Sequence, residues 1–214
     1  PDYPELIQAH LHEDPAASYR RAAQASIARF RANARGEALE DAGHDGPIVQ
    51  MHVLHELGGG IAHWCRDFVD ADPERINLVL KPITHSHDFG EGLALYDSVD
   101  ATYPIWMRLF DEPIRATAAR HAEYASAVRD LITEYHVDSI LVSSLIGHAL
   151  DILETGLPTL VVQHDFFPLC PAINAYFGAL CRHCDKERLT NCTANNPDFN
   201  PFHSFTPDER HLVR

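Results

Sequence analysis

A chain of 214 residues with 45% apolar side chains can build one domain with an ordinary core, or one domain and an appendage. Its 17 basic against 31 acidic residues, a formal charge of −14, argue against general nucleic-acid binding, which needs Lys and Arg clustered on phosphates. No apolar run approaches the length of a membrane span and the amino terminus has no signal-peptide core, so the expected setting is cytoplasmic, with at most peripheral contact at the inner membrane.

Residues 1–46 read as a helical extension. Within them the stretch 16–42 is rich in Ala and Arg and carries Tyr19, Ala23, Ile27 and Phe30 at helical spacing. Gly43 to Pro47 breaks it. Strand-like and helix-like runs then alternate: a strand over 48–54, a helix over 60–69, a strand over 76–83, and a less regular acidic section with strands near 93–96 and 105–110. A long helix is expected over 113–135, a strand over 139–143, a helix over 148–155 and a strand over 159–163. Apolar strands separated by helices long enough to cross a sheet predict an α/β fold, a Rossmann-like parallel sheet flanked by helices. Ligands in such folds bind at the carboxyl ends of the strands, so the loops after 54, 143 and 163 are the ones that matter. At the far end, 205–214 begins a helix with Thr206 as N-cap and Pro207 in its first turn. That unfinished helix and the initial Pro1 are expected of a piece of a longer protein.

The loop after the first strand holds Gly58, Gly59 and Gly60. Glycines at a helix N-terminus leave N–H groups and the positive end of the helix dipole open to an anion. The dinucleotide fingerprint fails, because Ile61, Ala62 and His63 follow where a third small residue belongs, and the next strand carries Lys81 where a ribose-binding acid is wanted. The phosphate-loop pattern fails for want of its Gly-Lys-Ser/Thr ending. A plain tight turn remains the bland reading.

Three stretches, "HVLHELGGGIAHWCRDF", "SILVSSLIGHALDI" and "PTLVVQHDFFPLCPAIN", together resemble in order and strand position the amino-terminal half of family 4 glycosyltransferases, retaining enzymes of the two-domain GT-B architecture. The resemblance covers 47–214 and implies an acceptor-side domain of an enzyme that moves a sugar from a nucleotide-diphosphate sugar to a glycan or lipid-linked glycan in surface polysaccharide synthesis. It implies that Gly58, Gly59 and Gly60 approach the donor diphosphate or the acceptor. It places His164 beside the reacting sugar as the catalytic histidine, Asp165 as its orienting or acceptor-contacting neighbour, and Gly147 and His148 as lining of the same cleft. For His164 the plain alternative is a strand-end cap, and for His148 a helix cap. The family's carboxy-terminal donor-binding domain, with its two glutamates separated by seven residues, has no counterpart here; Glu5 and Glu13 share only that spacing. The resemblance therefore implies that the missing domain is supplied in cis or in trans, and that this chain alone does not turn over.

Of five cysteines, Cys65 lies on the helix after the glycines and reads as core filler. Cys170, Cys181, Cys184 and Cys192 cluster in a loop over 170–205, and "CRHC" supplies one pair with chelating spacing, so a structural zinc is one reading, disulfides and thiols the others. His183 could replace one ligand. Arg20, Arg21, Arg29, Arg31 and Arg35 decorate the helix of the extension, which suits either an anionic lipid surface or an ordinary solvated helix. The alternative function, from a different class, is a non-catalytic sugar- or nucleotide-binding module whose cysteine loop is a zinc-held interaction surface.

Overall fold

The computed structural model describes residues 47–57, 59–84, 90–165, 167, 181 and 185–195. The extension 1–46, Gly58, Cys170, Cys184 and the segment 196–214 lie outside them.

The first strand, β1 (Val49–Val53), alternates apolar and polar residues yet is buried along its whole length, Gln50 and His52 being hydrogen-bonded to each other on the second covered face. Helix α1 (Gly60–Asp70) crosses to β2 (Ile76–Ile83), which pairs parallel to β1. The chain then turns back twice, into β3 (Gly90–Tyr96) and β4 (Trp106–Ile114), both antiparallel to their neighbours. After a short strand β5 (Thr117–Ala118), helix α2 (Ala122–Glu134) returns it to β6 (Ser139–Val142) on the other side of β1. A two-residue strand β7 (His148–Ala149) pairs with β5, a 3₁₀ turn covers Leu150–Glu154, and β8 (Thr159–Val161) adds to β6 in parallel. Helix α3 (Lys186–Asn195) is the last element among the described residues.

The six-stranded sheet runs β4-β3-β2-β1-β6-β8, mostly parallel with an antiparallel pair at one edge. Its two faces bury different helices. Met51, Val53, Leu78, Leu80, Leu93 and Leu95 meet Tyr124, Ala127, Val128 and Leu131 of α2, whereas Leu54 and Val79 meet Ile61 and Cys65 of α1. The fold is thus α/β with helices on both faces of a mostly parallel sheet, compatible with a Rossmann-like arrangement.

Two expected helices differ. The long one begins at Ala122, because β4 continues through Pro113 to Ile114. Proline is tolerated on an edge strand, where no partner needs its N–H. His121 caps α2 instead: its Nδ1 accepts from the Tyr124 N–H at 3.1 Å, and Asp151 accepts from its own N–H at 2.9 Å. The helix expected over 148–155 is replaced by β7 and the 3₁₀ turn, since His148 is drawn into pairing with Thr117.

The β3–β4 pair depends on a close approach. A Cβ added at Gly92 would lie 2.2 Å from the Arg108 carbonyl oxygen and 2.9 Å from Leu109 Cα, beside the register shift between Gly90 and Gly92. Backbone cannot yield as a side-chain tip would, so Gly92→Ala is expected to destabilise by roughly 3 kcal/mol in denaturant unfolding, with the loss falling on the β3–β4 edge in hydrogen exchange.

Candidate functional site

Strand β1 has β2 on one side and the later-arriving β6 on the other, so the loops leaving β1 and β6 part at their carboxyl ends. That divergence is where open α/β sheets place ligands. Residues 54–57 and 59–60 leave toward α1, 143–148 toward β7, and 162–165 continue from β8. Val53 ties the first two together, because its carbonyl accepts from the N–H groups of both Ser143 (3.0 Å) and Ser144 (3.2 Å).

On the β1 side Gly59 is the N-cap of α1, with φ 84° and ψ −155°. This region is essentially restricted to glycine. A Cβ there would meet nothing within 4 Å, so the requirement is conformational rather than steric. Gly60 has the same open space without the positive φ. No side chain caps α1 and no acid sits in its first turn, which leaves the positive end of the helix without a negative partner of its own.

On the β8 side the ring of His164 packs edge-on against Trp64 of α1, with centroids 4.8 Å apart. Trp64 in turn stacks on Phe68, centroids 5.3 Å apart. Helix α1 therefore holds His164 in place through a residue one turn beyond its N-terminus. The Nε2 atom of His164 is buried and has no hydrogen-bond partner among the described residues. Asp165 turns its carboxylate onto the Phe167 N–H at 2.8 Å, closing a local turn. A shallow open cleft, enclosing little more than the space of one small polar group, lies between the ends of β6 and β8 and is lined by Ser143, Ser144, Gln163, His164 and Asp165 over apolar walls from Val142, Leu145 and Phe167.

His55 joins this group, although sequence reasoning marked only its loop. Its Nδ1 accepts from the Leu57 N–H at 3.1 Å. Burial lowers its basicity first, its backbone hydrogen bond and the charges of Asp165 and Glu56 oppose that, and His164 adds to it. Lys81 reaches the same rim from β2, 3.6 Å from Glu56 and over the ring of Tyr96. The sequence signal for His55 was its position after a strand, and that for Lys81 was only its standing where a ribose-binding acid is wanted.

Gly147 and His148 stand behind the cleft. The Gly147 N–H donates to Ala116 O at 2.5 Å and the His148 N–H to Leu145 O at 3.1 Å. The His148 ring is fully buried: Nε2 donates to Leu54 O at 2.8 Å and Nδ1 accepts from the Tyr124 hydroxyl at 3.0 Å. Both ring nitrogens and both N–H groups are thus engaged within the protein, and their visible task is to hold the end of β1.

Cys65 is buried in the core under α1, where burial pushes its thiol up to about 11. Cys181 and Cys192 are half-buried, and Cys170 and Cys184 lie outside the described residues. Among the described residues no group of three or more His, Cys, Asp or Glu side chains is placed to hold a metal ion, and no helix is long and apolar enough to cross a membrane. No protein-family model, curated protein or solved structure matches the chain.

Two outcomes follow. Gly59→Ala should cost about 1–3 kcal/mol through backbone strain, while Gly60→Ala should be neutral or slightly stabilising, as read by chemical denaturation. Burial holds the His148 imidazole down at about 4, against 6.5 for an ordinary histidine. The unfolded chain therefore binds the extra proton first: this contribution to stability is complete above pH 6.5 and is lost as pH falls toward 4, amounting to on the order of 3 kcal/mol. Denaturation midpoints of wild type and His148→Gln across that window check it, the variant showing the shallower slope.

Proposed function

We propose that this chain is the acceptor-side, amino-terminal domain of a retaining glycosyltransferase of the GT-B type, resembling family 4. It would transfer a sugar from a nucleotide-diphosphate sugar to a glycan or lipid-linked glycan. The observation that carries the reading is the contact between α1 and His164. The uncapped N-terminus at Gly59 and Gly60, and a histidine with a buried, unpartnered Nε2, meet at one sheet edge through Trp64.

Glycosyl transfer develops negative charge on the departing diphosphate and positive charge on the sugar. Preorganised N–H dipoles at the first turn of α1 answer the former without reorganising during the reaction. The Nε2 atom of His164 is suited to hydrogen-bond a hydroxyl of the reacting sugar and to assist proton movement there. Asp165, held by the Phe167 N–H, adds negative charge beside His164 and His55. In this reading the donor-binding half of the cleft comes from a further domain, in cis or in trans, and cysteines 170, 181, 184 and 192 close a zinc-held loop beside the acceptor path.

The test is a panel of nucleotide sugars with lipid-linked and soluble glycan acceptors, assayed on the full-length protein that carries this chain. His164→Ala should lower kcat on the order of a hundredfold, and Gly59→Val should raise KM for donor or acceptor. Unchanged kinetics in both variants would remove the site assignment, and no transfer with any donor would remove the reaction.

A further inference from the structure

We infer that Ser143 is a ligand-binding residue of this cleft, its hydroxyl and the Nε2 atom of His164 together receiving a hydroxyl group of a sugar or related polyol. Only 5% of Ser143 is exposed, and its Oγ is buried without a hydrogen-bond partner among the described residues. Buried hydroxyls are normally satisfied, because leaving one dry forfeits its hydration for nothing. The neighbouring hydroxyls obey this rule. Ser144 Oγ accepts from the Ile146 N–H at 3.2 Å, and Thr117 Oγ1 donates to Leu145 O at 2.6 Å. Ser143 stands apart from them and lines the same cleft as His164, the other residue there with an unpartnered buried polar atom.

The chemistry of the pair selects the ligand. A serine hydroxyl donates one hydrogen bond and accepts others, and a neutral imidazole nitrogen does either according to its tautomer. A hydroxyl can satisfy both, giving a proton to one and taking one from the other. A hydroxyl does so with either tautomer, whereas a carboxylate or phosphate oxygen suits only the Nε2–H tautomer and an ammonium only the tautomer with a free Nε2 lone pair. The surrounding walls are apolar, from Val142, Leu145 and Phe167, and the enclosed space suits a single ligand hydroxyl with the rest of the ligand in the open mouth. The backbone of Ser143 is meanwhile locked, its N–H donating to Val53 O, so the hydroxyl is presented from a rigid strand end.

The sugar class rests on the transferase reading, whereas the presence of a ligand hydroxyl at Ser143 does not. Methyl glycosides of glucose, galactose, mannose and N-acetylglucosamine are titrated into the full-length protein while the ring nitrogens of His164 are followed by NMR. At least one glycoside should shift them saturably, and Ser143→Ala should weaken that binding about tenfold, the loss of one hydrogen bond. Without ligand the same variant should keep or raise its Tm, because an unpartnered buried hydroxyl has been removed. Absence of any shift, equal affinity in the variant, or a Tm lowered by several degrees without ligand overturns the inference. Ser143-dependent glycoside binding without transfer from any nucleotide sugar would remove the transferase reading alone; transfer with unaltered affinities in Ser143→Ala would remove the inference alone.

Discussion

The imidazole of His148 is held on one side by the Tyr124 hydroxyl and on the other by the carbonyl of Leu54, all in the buried interior. Three parts of the chain far apart in sequence meet there: the end of β1, the first turn of α2, and the loop after β6. A neutral ring satisfies both neighbours at once, donating from Nε2 and accepting at Nδ1, and low polarity around it strengthens each bond. Since Leu54 directly precedes His55 and the glycine loop, this clamp fixes where the strand stops and the loop begins. The cleft is built forward from that point.

On the opposite face of β1 a second polar group lies under α1. His52 Nε2 is 2.8 Å from Asn77 Oδ1 and 3.1 Å from Gln50 Nε2, while Arg75 joins Gln50 to Asp72. Strand β1 therefore carries apolar residues toward α2 and a hydrogen-bonded polar row toward α1. Such a row discriminates between registers, because a one-residue slip would drive Gln50 and His52 into the apolar core. The helix that holds His164 through Trp64 thus rests on a strand whose register is specified on both faces.

The outer edge of the sheet is managed differently. Tyr103, Ile105, Met107 and Leu109 are exposed, yet the strand is closed to further pairing beyond them. Glu123 turns its carboxylate onto the N–H groups of Asp111 and Glu112, at 3.0 and 3.5 Å, and Pro113 has no N–H to offer. These devices blunt an edge that would otherwise template association. Pro113 read in sequence as a helix start for the same property, its missing donor, that makes it an edge residue here.

Strand and helix periodicity was legible wherever one face is buried: β1, α1, β2 and β6 appear close to their expected bounds. The glycine loop and His164 were legible because each follows a short stretch rich in β-branched and apolar residues, although only the first of those strands is buried. Residues 113–121 and 148–155 were not, since their conformations follow from pairing between β5 and β7 and from Asp151 reaching the start of α2, contacts across about thirty residues that no local window contains. The sequence by itself determined the alternation of strands and helices, and with it the loops at the strand ends. Only the tertiary structure decided which polar side chains remain without partners. His148 is engaged on both nitrogens while Ser143 and His164 are not, because hydrogen-bond satisfaction depends on neighbours brought together by the fold rather than on residue type.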